Sequence, residues 1–238
     1  MSGHSHWAGI KHKKGLADVK KSKVFSKIAR EITVAAKEGG DPAFNPKLRM
    51  AIEKAKLSQM PADNIERAIK RGTGGLESVK LESVLFEAYG PGGTAIIIEG
   101  ITDNKNRTLG EIKQILNQNN GKVAGEGSVK WLFEKRGCLT LPIGNKTKEE
   151  LEFIAIEAGA EDFYWYDNTL EVYTKIEDLE KVKKNLENQG LELESASLDW
   201  VAKKNITIDQ KAKEACQKLF EDLDENDSVQ EIYSNLDL

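Results

Sequence analysis

Cysteine is scarce in this chain of 238 residues: Cys138 and Cys216 stand alone, without the spacing of a metal site or a disulfide framework, and read as thiols of a reducing compartment. Histidine is scarcer in effect, since His4, His6 and His12 all fall in the first twelve residues. No histidine is therefore placed to serve a nucleophile within a folded core, and no Ser-His-Asp or Cys-His arrangement is expected. No apolar run approaches the roughly 20 residues that span a bilayer. The opening MSGHSHWAGIKHKK has no apolar h-region and no Arg/Ser-rich amphipathic stretch, so neither a signal nor a transit peptide is expected. A soluble cytoplasmic protein without metal or cofactor is the expectation, with no membrane partner.

Charge is plentiful and unevenly placed. Residues 1–80 hold 17 Lys/Arg against 8 Asp/Glu, a net of +9, whereas residues 81–238 hold 18 against 31, a net of −13. The whole-chain value of −4 hides this asymmetry, which points to a polyanion-binding module joined to an acidic body. The competing explanation is that the two parts attract each other.

Periodicity supplies the architecture. Phe25, Ile28, Ala29, Ile32, Ala35 and Ala36 share one face of a helix predicted over Leu16–Glu38, and Lys20, Lys23, Lys27, Arg30 and Lys37 share the opposite one. Gly39-Gly40 ends it, and Asn45-Pro46 opens a second helix that buries Leu48, Ala51, Ile52 and Ala55. A third follows Met60-Pro61, with Ile65, Ala68 and Ile69 inward, and closes at Gly72; together they make a small bundle. Strands are predicted over Val84–Tyr89 and Thr94–Ile101 around the turn Gly90-Pro91-Gly92-Gly93. A helix over Arg107–Asn119 and a strand through Val129, Trp131 and Phe133 come next. Residues 136–203 follow the order βαββαβ of a ferredoxin-like unit, its first helix opened by the capping box Thr147–Glu150. A tail helix over Asp209–Leu223 and a strand over Val229–Ser234 are expected to complete the 80–135 segment. The chain so read is a multidomain α+β protein: a basic helical unit over 1–78, a discontinuous α/β unit over 79–135 and 206–238, and an inserted ferredoxin-like unit over 136–205.

The strongest chemical signal is cation density with an aromatic among it: Trp7, Lys11, His12, Lys13, Lys14, Lys20, Lys21, Lys23, Lys27 and Arg30, joined by Arg67, Lys70 and Arg71 of the third helix. Asp18 is the only acid before Glu31. Such a segment suits a sugar-phosphate backbone; a solvated lysine-rich helix face is the plainer reading, but an ordinary surface helix mixes signs. The loop Gly72-Thr73-Gly74-Gly75 lacks the Lys-Ser/Thr ending of a phosphate loop and follows a helix C-terminus, so it reads as a hinge. Asp103, Asn104, Asn106 and Arg107 between a strand and a helix suit N-capping, and alternatively a recognition loop. Half of the run Phe163-Tyr164-Trp165-Tyr166 must face a core, leaving the other half as packing or a binding platform.

These residues carry a resemblance. Gly3-His4-Ser5, Trp7, Ile10-Lys11-His12-Lys13-Lys14, Asn45-Pro46, the stretch Ile65 to Gly75, Tyr89-Gly90-Pro91-Gly92-Gly93, Thr102-Asp103-Asn104 with Asn106-Arg107-Thr108, Gly127-Ser128-Val129, and Val229-Gln230 with Tyr233 and Asn235 resemble the YebC/PmpR family from end to end. His6 stands where a lysine is usual, and Ser228 where an acid is. The resemblance implies a crescent of one helical and two α/β domains, sandwich-like and arranged around a cleft. It also implies a non-enzymatic regulator of gene expression that binds nucleic acid, either DNA in transcription or ribosomal RNA in relief of stalled translation. A monomer is expected. A protein-interaction scaffold built on the acidic C-terminal body is the alternative.

Overall fold

The structure, a computed structural model, describes residues 5–6, 21–76 and 80–237, with backbone only for the first pair. Among the described residues seven α-helices and two antiparallel sheets form the α+β architecture.

Three helices come first: α1 Lys21–Ala35, α2 Pro46–Leu57 and α3 Ala62–Gly72. Their apolar faces meet in one core of Ile28, Ile32, Leu48, Ala51, Ala55, Ile65 and Ala68. The predicted start of α1 at Leu16 lies outside the described residues. Asn45 joins the first two helices. Its Oδ1 accepts from the Leu48 N–H at 3.0 Å, capping α2, while its Nδ2 donates to the Ala35 and Gly39 carbonyls, each at 2.8 Å. One side chain so satisfies orphan groups at the end of one helix and the start of the next. Gly72 permits α3 to cross α1, since a Cβ there would strike the Thr33 carbonyl.

The first sheet has the order β1-β9-β3-β2-β4, with β1 Ser5–His6, β2 Glu82–Tyr89, β3 Ala95–Thr102, β4 Lys122–Val123 and β9 Val229–Ser234. The hairpin between β2 and β3 turns through Gly92 and Gly93 at φ 67° and 78°, which side chains resist. The tail strand β9 pairs with β3, with partners such as Gly100 and Val229 that stand about 130 positions apart in the chain (about 430 Å if extended). Val84, Phe86, Ala88, Ile96 and Ile98 face α4 Lys105–Gln118 and α7 Gln210–Asp224. The other face, Ala95 and Ile97 with Tyr233, packs on Val129, Phe133 and Ala202.

The second sheet has the order β6-β7-β5-β8, from β5 Phe133–Pro142, β6 Asp162–Tyr166, β7 Thr169–Thr174 and β8 Ser195–Ala202. With α5 Lys148–Ala158 and α6 Leu179–Asn188 on one side, this is the ferredoxin-like arrangement. The Thr147–Glu150 capping box is present. Phe163 and Trp165 face the helices, and Tyr164 lies toward Cys138 and Tyr173 on the opposite side.

One expected strand is absent. Residues 130–132 form a 3-10 turn, and β5 starts only at Phe133 and runs unbroken to Pro142. The N–H groups of Val129 and Lys130 are held by the Glu87 carboxylate, which removes them from any sheet ladder.

Asn45 separates two contributions cleanly. Asn45→Asp keeps the cap acceptor but loses both donors to α1, and Asn45→Ala loses everything. In chemical denaturation both should be destabilised, the Ala variant by about 2–4 kcal/mol and more than Asp. Equal loss would assign the whole effect to the donors.

Candidate nucleic-acid interface

Trp7, Lys11, His12, Lys13, Lys14 and Lys20, the centre of the sequence-based expectation, lie outside the described residues. Lys21 opens α1 and is exposed. The next cations along its face do not point into solvent alone. Lys23 donates to the carbonyl and carboxylate of Glu225, each at 2.9 Å. Lys27 donates to the Asp224 carbonyl at 3.1 Å and its Oδ1 at 2.8 Å, in a pair whose side chains are only 16% and 15% exposed. Arg30 donates to the Asp227 carbonyl at 2.5 Å. The spacing that aligned these cations thus delivers them to the C-terminal end of α7, where unpaired carbonyls and the negative end of the helix dipole attract cations. Mutual attraction of basic and acidic parts, the competing explanation of the charge asymmetry, holds for these three residues.

The second helix reaches both α/β units. Lys54 sits between Glu31 at 3.0 Å and Glu231 at 2.8 Å. Partial burial opposes its charge, but the two carboxylates outweigh that and hold the ammonium above the ordinary lysine value. Glu53 pairs with Lys183 of α6 at 2.5 Å. The bundle is so bolted to a strand of the first sheet and to a helix over the second, and other cations of the bundle point outward.

Besides Lys21 of α1 and Lys56 of α2, the exposed cations include three on α3. Arg67 is held to its own helix by the Asp63 carbonyl at 3.2 Å and Asn64 Oδ1 at 2.5 Å. Lys70 and Arg71 occupy the last turn, where cations are favoured by the dipole, and Arg71 is exposed.

Asp103, Asn104, Asn106 and Arg107 lie at the start of α4. Asn104 Oδ1 accepts from the Arg107 N–H at 3.0 Å and caps the helix. Arg107 pairs with Asp103 and, at 3.6 Å, with Glu111. The Arg107 bond, with a small share from the charge of Arg30, holds the Asp103 carboxyl below its usual range. Glu111 accepts from Asn226 at 2.8 Å, so this loop adjoins the turn that receives the α1 cations.

A second basic and aromatic patch was not singled out from sequence. Tyr89, Lys122, Lys130, Trp131, Trp200 and Lys203 meet where β2 and β4 border residues 124–132. Lys122 lies 5.9 Å from the Tyr89 ring, and Lys130 and Lys135 lie 5.2 and 5.0 Å from the Trp200 ring. Trp131 is 65% exposed. The dipeptide Lys130-Trp131 was the available signal, masked because its alternation with Val129 and Phe133 reads as a strand. Buried Glu87 organises the segment by accepting from the N–H groups of Gly127 at 2.6 Å, Val129 at 2.5 Å and Lys130 at 2.7 Å. Burial pushes its carboxyl up, but the three donors outweigh that and leave it below the usual carboxylate value.

Both cysteines are buried, and burial pushes the Cys138 thiol well up, away from a reactive thiolate. Among the described residues no group of three or more His, Cys, Asp or Glu is placed to hold a metal. No described helix is long and apolar enough to cross a membrane.

Comparison with known proteins covers the whole chain. Residues 5–75 match the family model for the N-terminal domain of the TACO1/YebC protein, and residues 81–236 match that for its second and third domains. A probable transcriptional regulatory protein of Halothermothrix orenii is 49% identical, covering 100% of this chain and 96% of its own. One of the same description from Persephonella marina is 48% identical with the same coverage. The crystal structure of a conserved hypothetical protein from Aquifex aeolicus superposes with a TM-score of 0.89 at 43% identity, over 98% of this chain and 96% of that one.

The Glu87 contact makes an acid-dependence prediction. A carboxyl lowered on folding adds stability that is fully present above its unfolded value, about 4.3, and is lost as pH falls through the lower folded value. Glu87→Gln should cost about 1–3 kcal/mol at neutral pH and flatten the acid side of the stability profile. Urea midpoints that fall in parallel for both proteins from pH 7 to 3 would contradict this role.

Proposed function

From the membership of this chain in the TACO1/YebC family, we propose that it is a non-enzymatic cytoplasmic regulator of gene expression that binds nucleic acid by its phosphates. The observation carrying this reading is where the cations go. Reading base edges in a major groove requires a helix with a free polar face. The cationic face of α1 is instead joined to α7 through Lys23, Lys27 and Arg30. What remains is cationic toward the C-terminal end of α3, at Arg67, Lys70 and Arg71, and in the segment with Lys11, Lys13, Lys14 and Lys20. Cations so placed suit backbone contacts, which give affinity and position without sequence readout.

This favours folded RNA, and the ribosome as the target, with relief of stalled translation as the activity the family likeness suggests. Transcriptional regulation through duplex DNA is the second reading, favoured by the names of the relatives.

Sedimentation of extract through sucrose gradients, at low and moderate salt and with or without RNase, separates them. The expected result is co-migration with ribosomal particles, lost on adding salt or on replacing Lys11, Lys13 and Lys14 with alanine. A protein that stays at the top of each gradient but retards duplex DNA supports the transcriptional reading. Failure in both assays removes nucleic-acid binding and leaves the acidic body as a protein-docking scaffold.

A further inference from the structure

We propose that the border of β2 and β4 is a seat for an unstacked base of a single-stranded nucleic acid, stacked by Tyr89 and Trp131 and flanked by Lys122, Lys130 and Lys203. This rests on the nucleic-acid reading above and adds a contact remote in sequence from the basic N-terminal unit.

Tyr89, Gly90, Gly93, Asn120, Gly121 and Lys122 line a cavity of ≈ 490 Å³, within the ~300–1,000 Å³ typical of small-ligand sites. Glycines line half of it, and a Cβ on Gly93 would meet nothing within 4 Å, so that wall is open to a ligand approaching the backbone. The phenol O–H of Tyr89 and the indole N–H of Trp131 both donate to the Ser128 carbonyl, at 3.1 and 3.0 Å. Two aromatic side chains are therefore pinned by their polar edges to one peptide group, whose segment is fixed in turn by Glu87. Rings held in this way lose little freedom on stacking, and every base has a face to offer.

The charges around the rings match a phosphate. Lys122 is the cross-strand neighbour of Tyr89. Lys203 donates to the Trp131 carbonyl at 3.0 Å, which anchors a second ammonium on the segment that carries the exposed indole. Of the nearby acids, Glu87 is closed by backbone amides and Glu99 by Lys135 and Trp200, each at 2.8 Å, leaving Glu126 as the exposed carboxylate of this segment. An acidic peptide would use the lysines but would gain nothing from the cavity beside Tyr89. Duplexes, whose bases are already stacked, could reach the lysines and not the rings.

Fluorescence anisotropy with a labelled single-stranded oligoribonucleotide and its duplex tests the seat. Trp131→Ala and Tyr89→Ala should each weaken the single strand about tenfold and leave the duplex unchanged, with Tyr89→Phe, which keeps the ring and loses its bond to Ser128, falling between Tyr89→Ala and wild type. Lys122→Glu, at an exposed position, should weaken both. Trp131→Ala alters an exposed side chain, so its result stands even if Tyr89→Ala unfolds. Wild-type affinity in the Trp131 variant, or equal losses on both forms, overturns the seat alone. A wild-type protein that binds neither form overturns the nucleic-acid reading and the seat with it.

Discussion

Cations of α1 close the C-terminal end of α7, and the placement of the helical bundle depends on that contact. The end of a helix leaves carbonyls without partners and concentrates negative potential there. Lys23, Lys27 and Arg30 answer both needs, donating to three carbonyls of the turn, those of Glu225, Asp224 and Asp227. A single exposed ion pair would contribute little. Here the donors engage backbone and carboxylate together, and Lys27 and Asp224 are largely shielded from water. Lys54 and Glu53 on α2 extend the same logic to β9 and α6. The charge asymmetry of the chain is in part the adhesive between its units.

Carboxylates govern the opposite side of the central sheet. Glu87 gathers three backbone N–H groups, and Glu99 receives Lys135 and Trp200 from the second sheet. Glu87 and Glu99 sit among mostly apolar neighbours on β2 and β3, and Glu99 makes the connection to the second sheet. Acids that would otherwise repel a phosphate are so engaged within the protein, and the lysines between them remain outward.

Much of this was legible in the chain. The Asn45-Pro46 cap, the Thr147–Glu150 box and the turn through Gly92 and Gly93 follow from local chemistry, and local chemistry is what a sequence displays most directly. The tail was expected to complete the 80–135 segment, and β9 pairs with β3, a partner that the sequence did not name. What was missed is non-local. Nothing in the spacing of Lys23, Lys27 and Arg30 says that residues 224–227, some 200 positions on, will receive them. Val129, Trp131 and Phe133 alternate like a strand, but the Glu87 carboxylate takes the amides the strand would need. Tyr89 and Trp131 come together only through a shared bond to the Ser128 carbonyl. The remaining site residues, Trp7 through Lys20, lie outside the described residues, and sequence alone speaks for them.

The most direct measurement is the salt dependence of nucleic-acid affinity for proteins with different cations removed. Each phosphate contact contributes about 0.7–0.9 to the slope of log affinity against log salt. If Lys23, Lys27 and Arg30 belong to the internal contact, their combined replacement by glutamine leaves that slope unchanged, while replacing Lys70 and Arg71 lowers it by about 1.4–1.8. A slope that falls by two or more in the first variant would place the α1 face on the nucleic acid and contradict the account.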